Sequence, residues 1–163
     1  MDVYAAYCVD EDIRLKSSSG GMITILAEHV LDQGGVVYGV AMSDDCYAAE
    51  FIRVTDRNGL EKIRGSKYLQ AKVGDTFRRV KEDLESGRTV LFTGTGCQVN
   101  GVKAYLGKSY EKLYCVDKGQ KVNRCFKDKE LVAVSLIAER IGLVRPGNVL
   151  SEWVCRSSHM GVS

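Results

Sequence analysis

Thr89-Val90-Leu91-Phe92-Thr93-Gly94-Thr95-Gly96-Cys97-Gln98 is the stretch on which the fold turns. Its first five residues are apolar or β-branched, the composition of a short buried strand. Two glycines break the run, and a helical stretch through Val102 and Leu106 follows. The segment therefore predicts strand, turn, helix. In open α/β sheets, ligands bind just beyond the carboxyl ends of the strands, so Gly94, Thr95, Cys97 and Gln98 are candidate binding residues. A thiol at a helix N-terminus has its thiolate form favoured by the helix dipole, which makes Cys97 a candidate reactive group or iron ligand. The alternative is an inert cysteine, because free cysteine is among the most buried residue types.

Working outward, Lys112-Leu113-Tyr114-Cys115-Val116 reads as a further strand after Gly107. Upstream, Phe77, Val80 and Leu84 form the apolar stripe of a helix that starts near Asp75 or Thr76 and stops at Ser86-Gly87. Residues 58–63 make a short helix. Val36-Val37-Tyr38-Gly39-Val40-Ala41-Met42 and residues 48–54 are two strands, and Asp44-Asp45 between them marks the turn of a hairpin. Ile23, Leu26, Val30 and Leu31 share one face of a helix bounded by Ser19-Gly20-Gly21 and Gly34-Gly35. This alternation predicts an α/β domain, with an α+β arrangement left open, whose mixed β-sheet is flanked by helices.

Composition sets the outer limits. A chain of 163 residues, 45% hydrophobic and 27% charged, can bury a real core. Its 23 basic and 21 acidic residues leave a net charge of +2, which gives no electrostatic reason for nucleic acid or an anionic membrane as partner. No apolar run approaches the roughly 20 residues of a membrane span. The first residues lack the basic and apolar regions of a secretory signal, so the six cysteines are expected as thiols and the protein as cytoplasmic. No two of those cysteines stand at C-x-x-C spacing, the usual local signature of zinc, ferredoxin-type clusters or thioredoxin chemistry. His29 falls within a helix and His159 near the end, so neither builds a triad with Cys97. Neither a G-x-G-x-x-G nor a G-x-x-x-x-G-K motif is present.

Two further segments carry candidate chemistry. In Ser17-Ser18-Ser19-Gly20-Gly21, hydroxyls and unhindered backbone N–H groups stand at a helix start, where Ser18, Ser19, Gly20 and Gly21 would suit a phosphate-bearing ligand. The alternative is that they only cap the helix. Arg64, Gly65, Ser66, Lys67, Tyr68 and Gln70 gather two cations, a hydroxyl, a ring and an amide around a glycine, groups that suit a nucleotide cofactor. The alternative is a solvated loop leading into an edge strand.

In their order along the chain, these segments resemble the coenzyme F420 hydrogenase/dehydrogenase beta-subunit family. The resemblance rests on Tyr4-Ala5-Ala6-Tyr7, Ile13-Arg14-Leu15-Lys16-Ser17-Ser18-Ser19-Gly20-Gly21, Gly35-Val36-Val37-Tyr38-Gly39, Arg64-Gly65-Ser66-Lys67-Tyr68-Leu69-Gln70 and Leu91-Phe92-Thr93-Gly94-Thr95, and spans about residues 3–117. It implies a domain that binds FAD, works beside iron–sulfur clusters, and passes electrons between the flavin and coenzyme F420, ferredoxin or another redox subunit. It also implies that the serine–glycine loop, the Arg64 segment and the Gly94 turn belong to the flavin pocket. The family usually has proline where this chain has Gly96, and many members carry a ferredoxin-like cysteine cluster ahead of the first residue here. The expectation is an FAD-dependent oxidoreductase domain over residues 1–117, as a fragment, a truncated or frameshifted product, or a minimal domain whose partner supplies the clusters. A divergent helical extension over residues 118–156 and a disordered tail over 157–163 complete the expected plan. The competing expectation is a non-catalytic binding or scaffold domain that has lost the cofactor.

Overall fold

The computed structural model describes residue 8, residues 10–17 and residues 19–117. The expected extension and tail, and Ser18, lie outside the described residues. The elements in order are α1 (Glu11–Leu15), a 3-10 turn (Ser19–Gly21), α2 (Met22–Asp32), β1 (Val36–Met42), β2 (Ala49–Val54), α3 (Arg57–Ile63), β3 (Ala71–Lys72), α4 (Thr76–Glu85), β4 (Val90–Gly94), α5 (Gly96–Leu106) and β5 (Leu113–Asp117).

The strands form one mixed sheet in the order β3-β2-β1-β4-β5. β1 and β2 are the expected antiparallel hairpin, with Val37 opposite Val54 and Met42 opposite Ala49. β1 with β4, and β4 with β5, are parallel pairs. β3 is a two-residue edge strand parallel to the start of β2.

Because strand side chains alternate, the sheet feeds two cores. On one face Val37, Ala41, Val54, Leu91 and Val116 meet Leu26, Ala27 and Val30 of α2 and Leu60 and Ile63 of α3. On the other, Val36, Tyr38, Val90 and Phe92 meet Val80 and Leu84 of α4 and Val99, Val102 and Leu106 of α5. The result is three layers, α/β/α, as the alternation of periodicities predicts.

Gly39 sets how closely α3 approaches the sheet. A Cβ placed there would stand 2.7 Å from Ile63 Cδ1. This contact holds the end of α3 over the middle of β1. The second core is tied by a polar group: Tyr38 donates to Asp83 Oδ2 at 2.6 Å, and Arg53 grips both carboxylate oxygens of Asp83 at 2.8 Å. That network joins β1, β2 and α4 through three residues whose partners lie 30 or more positions away.

Two local expectations are refined. Asp75 stands at the N-cap of α4 but makes no side-chain cap bond; its carboxylate instead accepts from Arg78 and Arg79 at 3.0 and 2.9 Å. α1, capped by Asp10 accepting from the Ile13 N–H, is an element the periodicity did not announce. It is five residues long with no buried side chain, so it carries no apolar stripe to detect.

Candidate functional site

The chain leaves the C-terminal ends of β1 and β4 in opposite directions: β1 turns into β2, while β4 feeds α5 and then β5. This divergence between neighbouring parallel strands opens the crevice where doubly wound sheets take ligands. α2 runs back to the start of β1, so its own first turn lies at the same C-terminal edge. α3, which follows β2, also returns there, carrying Arg64 just past Ile63.

Between α2 and α3 lies a small, open cleft of about 20 Å³, lined by Ser17, Gly21, Ile23, Thr24, Leu60, Ile63, Arg64 and Gly65. Two segments more than 40 residues apart, the serine–glycine loop and the start of the Arg64 segment, thus meet at one surface. The loop is shaped by glycine. Gly20 and Gly21 adopt φ of 74° and 80°, conformations costly for other residues, and a Cβ at Gly21 would press on Cys8 Cβ at 3.2 Å. Ser17 and Thr24, neither of them an expected site residue except as neighbours of the loop, bring their hydroxyl oxygens within 3.1 Å of each other. Ser19 belongs to the turn that precedes α2.

The cations of the second segment are engaged within the protein. Arg64, with 11% of its side chain exposed, pairs with Glu61 at 2.6 Å and with Glu28 of α2 at 3.7 Å. Its Nε is buried and has no hydrogen-bond partner. Lys67 Nζ donates to the backbone carbonyls of Lys62, Arg64 and Gly65, closing the C-terminal turn of α3. Gly65 turns the chain with φ of 74°. Ser66, Gln70 and above all Tyr68, 95% exposed, face outward. At this edge Ala49 and Ala71 are register partners in parallel strands, and Tyr47 and Leu69 each stand two residues before them in sequence. Both are exposed, Tyr47 by 89% and Leu69 by 51%.

The Gly94 turn lies at the same end of the sheet but leads to the opposite face. Gly94 ends β4 and is buried. Thr95 is the N-cap of α5, and its N–H donates to Gln98 Oε1 at 2.9 Å, one arm of a capping box. Gln98 therefore serves the helix start. Cys97 is exposed, not buried as the inert alternative would have it, and its Sγ lies 3.1 Å from Thr95 Oγ1. Asp117, at the end of β5, reaches over the same turn: a Cβ at Gly96 would stand 2.9 Å from its Oδ2. Among the described residues no group of three or more His, Cys, Asp or Glu side chains is arranged to hold a metal ion, so Cys97 has no companion ligands there.

Sequence reasoning named the two segments that meet at the cleft but not Thr24, Glu28, Leu60 or Ile63. Thr24 and Glu28 continue the face of α2 that begins at the loop, at i+3 and i+7 from Gly21, a periodicity that could have flagged them. Nothing in the order of residues links Glu28 to Arg64.

These features define a three-layer α/β domain with a glycine-shaped cleft at the carboxyl edge of its parallel strands. Residues 3–77 match the family model described as coenzyme F420 hydrogenase/dehydrogenase, beta subunit N-terminal part. Over these residues, a little under half of the chain, the sequence is similar to that family. Among solved structures it is similar to a chain of the xenon-derivatised F420-reducing [NiFe] hydrogenase complex from Methanosarcina barkeri, at 26% identity and a TM-score of 0.51. The match covers 65% of this chain and 38% of that one, so the protein spans well under half the length of that relative. No curated protein matches significantly. Among the described residues no helix is long and apolar enough to cross a membrane.

Proposed function

We propose that this chain is the flavin-binding part of an electron-transfer oxidoreductase, holding FAD at the C-terminal edge of the sheet. The observation that carries the reading is the meeting of the serine–glycine loop and the Arg64–Gly65 turn at one cleft, in a chain whose residues 3–77 match this family's model. The donor set suits a flavin: hydroxyls of Ser17 and Thr24, backbone of Gly21 and Gly65, an apolar floor of Ile23, Leu60 and Ile63, and the buried Arg64 Nε still without a partner. Tyr68, in the same segment as Arg64, offers an uncovered ring for stacking. FAD, when bound, supplies the electron chemistry, while these residues hold and orient it. The cleft itself is small, so most of the ligand would lie outside it, against the Gly94 turn or a partner subunit.

The electrons would pass to or from a redox subunit or ferredoxin, with coenzyme F420 as terminal partner and iron–sulfur clusters carried by the associated subunits. The coenzyme F420 and the partner subunits in that plan accord with the F420-reducing hydrogenase complex to which the chain is similar; the ferredoxin and the clusters come from the family resemblance alone. A cytoplasmic site accords with the exposed Cys46 and Cys97 thiols.

The test is the absorption spectrum of anaerobically purified protein before and after reconstitution with FAD. Flavin bands retained through gel filtration are expected. A chain that stays colourless after reconstitution would falsify the reading and favour the scaffold alternative.

A further inference from the structure

We propose that residues 65–70 are a strap that closes over the bound flavin, carrying the Tyr68 ring and the Leu69 side chain from solvent onto it. This rests on the flavin reading and adds a moving part to it.

Both ends of the segment are fixed. Before it, Ile63 is buried at the end of α3 and packs against Gly39 of β1. After it, Ala71 and Lys72 pair with Ala49 and Glu50. Between these anchors the backbone belongs to no helix or strand. Tyr68 and Leu69 stand 95% and 51% exposed, and among the described residues neither makes a hydrogen bond. Single exposed apolar side chains are ordinary, but two in succession on an unpaired segment beside a cleft are groups that gain by burial. The hinge is Gly65, whose φ of 74° suits glycine and whose Cβ position meets nothing within 4 Å, so the chain can swing there without collision. The Lys67 ammonium, donating to the carbonyls of Lys62, Arg64 and Gly65, holds the open position from within that hinge. Arg64 and Gly65 line the cleft, and Tyr68 follows Gly65 by three residues, a reach of at most about 11 Å. A ligand too large for the cleft lies on the surface such a swing would cover. Tyr47 is as exposed as Tyr68 but stands in a turn tied by Ser43 and Asp45, whose side chains accept from the N–H groups of Ala48 and Tyr47 at 3.0 and 3.1 Å. It is the fixed counterpart against which motion is judged.

The experiment digests the intact chain briefly with chymotrypsin, with and without saturating FAD, and times cleavage after Tyr47, Tyr68 and Leu69 by peptide mass spectrometry. FAD is expected to slow cleavage after Tyr68 and Leu69 at least about tenfold, and after Tyr47 less than about twofold. A rigid stacking contact would protect Tyr68 too, so stopped-flow flavin fluorescence is the second measurement. Closure gives a docking phase proportional to protein concentration and then a slower phase whose rate levels off. Tyr68→Ala, at a side chain outside the core, is expected to lose the slow phase and to release FAD about tenfold faster. FAD bound with Tyr68 and Leu69 cut at the ligand-free rate, Tyr47 protected equally, or binding in a single phase at every concentration would each overturn the strap and leave the flavin reading standing. No FAD binding at all overturns both.

Discussion

At the scale of single residues, Asp83 concentrates the most interaction in the least space. Burial pushes its carboxyl pKa up, but the hydrogen bonds of Arg53 and Tyr38 and the guanidinium charge outweigh burial and hold it below the usual carboxylate range. The same contact shifts Tyr38 the other way: burial, then the bond to Asp83, raises the phenol above its ordinary value. Asp83→Ala would leave a buried hydroxyl and a half-buried guanidinium without their acceptor, at a cost of about 2–3 kcal/mol. Since the folded carboxyl is depressed, its contribution is full above the unfolded value of about 3.9 and is lost as pH falls through the folded one. Urea unfolding of wild type and variant should therefore differ clearly at pH 6 and by progressively less as pH falls below the unfolded carboxyl's value; an undiminished gap in acid would sink this account.

At the scale of elements, α5 shows how a short motif serves structure before chemistry. Gln98 looked like a ligand amide from its place after the strand, yet it closes the helix start through Thr95. Removing that arm in Gln98→Ala should cost about 0.5–1 kcal/mol, seen as a lower thermal midpoint. The same variant should leave flavin affinity within about twofold, since the amide oxygen is already engaged; a loss of tenfold or more would restore Gln98 as a cofactor contact. The helix itself was legible because Val102 and Leu106 repeat at its period and Gly107 ends it with φ of 67°. The edge strand β3 was legible only as one alternative for the Arg64 segment: two residues give no periodicity, and its pairing with Ala49 and Glu50 is a long-range matter.

At the scale of the whole molecule, the layers predict which thiols are reachable. Cys46 sits exposed in the β1–β2 turn with φ of 61°, and Cys97 is exposed at the start of α5. Cys8 is buried beneath the serine–glycine loop, and Cys115 is half-buried, its pKa pushed up by that burial. Maleimide treatment of native protein followed by peptide mass spectrometry should modify Cys46 and Cys97 within minutes and Cys8 and Cys115 only after unfolding. Rapid native labelling of Cys115 would mean that β5 and α5 are not packed as described.

The order of residues alone was enough for the elements and their class, because helix and strand write their periods into neighbouring positions: Ile23 through Leu31 for α2, Val36 through Met42 for β1, Thr89 through Leu106 for the strand–turn–helix unit. It was also enough for the resemblance to the family, whose motifs are contiguous runs. Only the tertiary structure could decide what the charges do. Glu28 and Arg64, or Arg53 and Asp83, are separated by about 30 residues or more and meet because α2, α3 and α4 fold back onto one sheet. Local spacing cannot encode such a meeting, since it depends on which face each helix covers. An arginine that reads as a nucleotide-cofactor ligand in the chain is, in the fold, already paired with two glutamates.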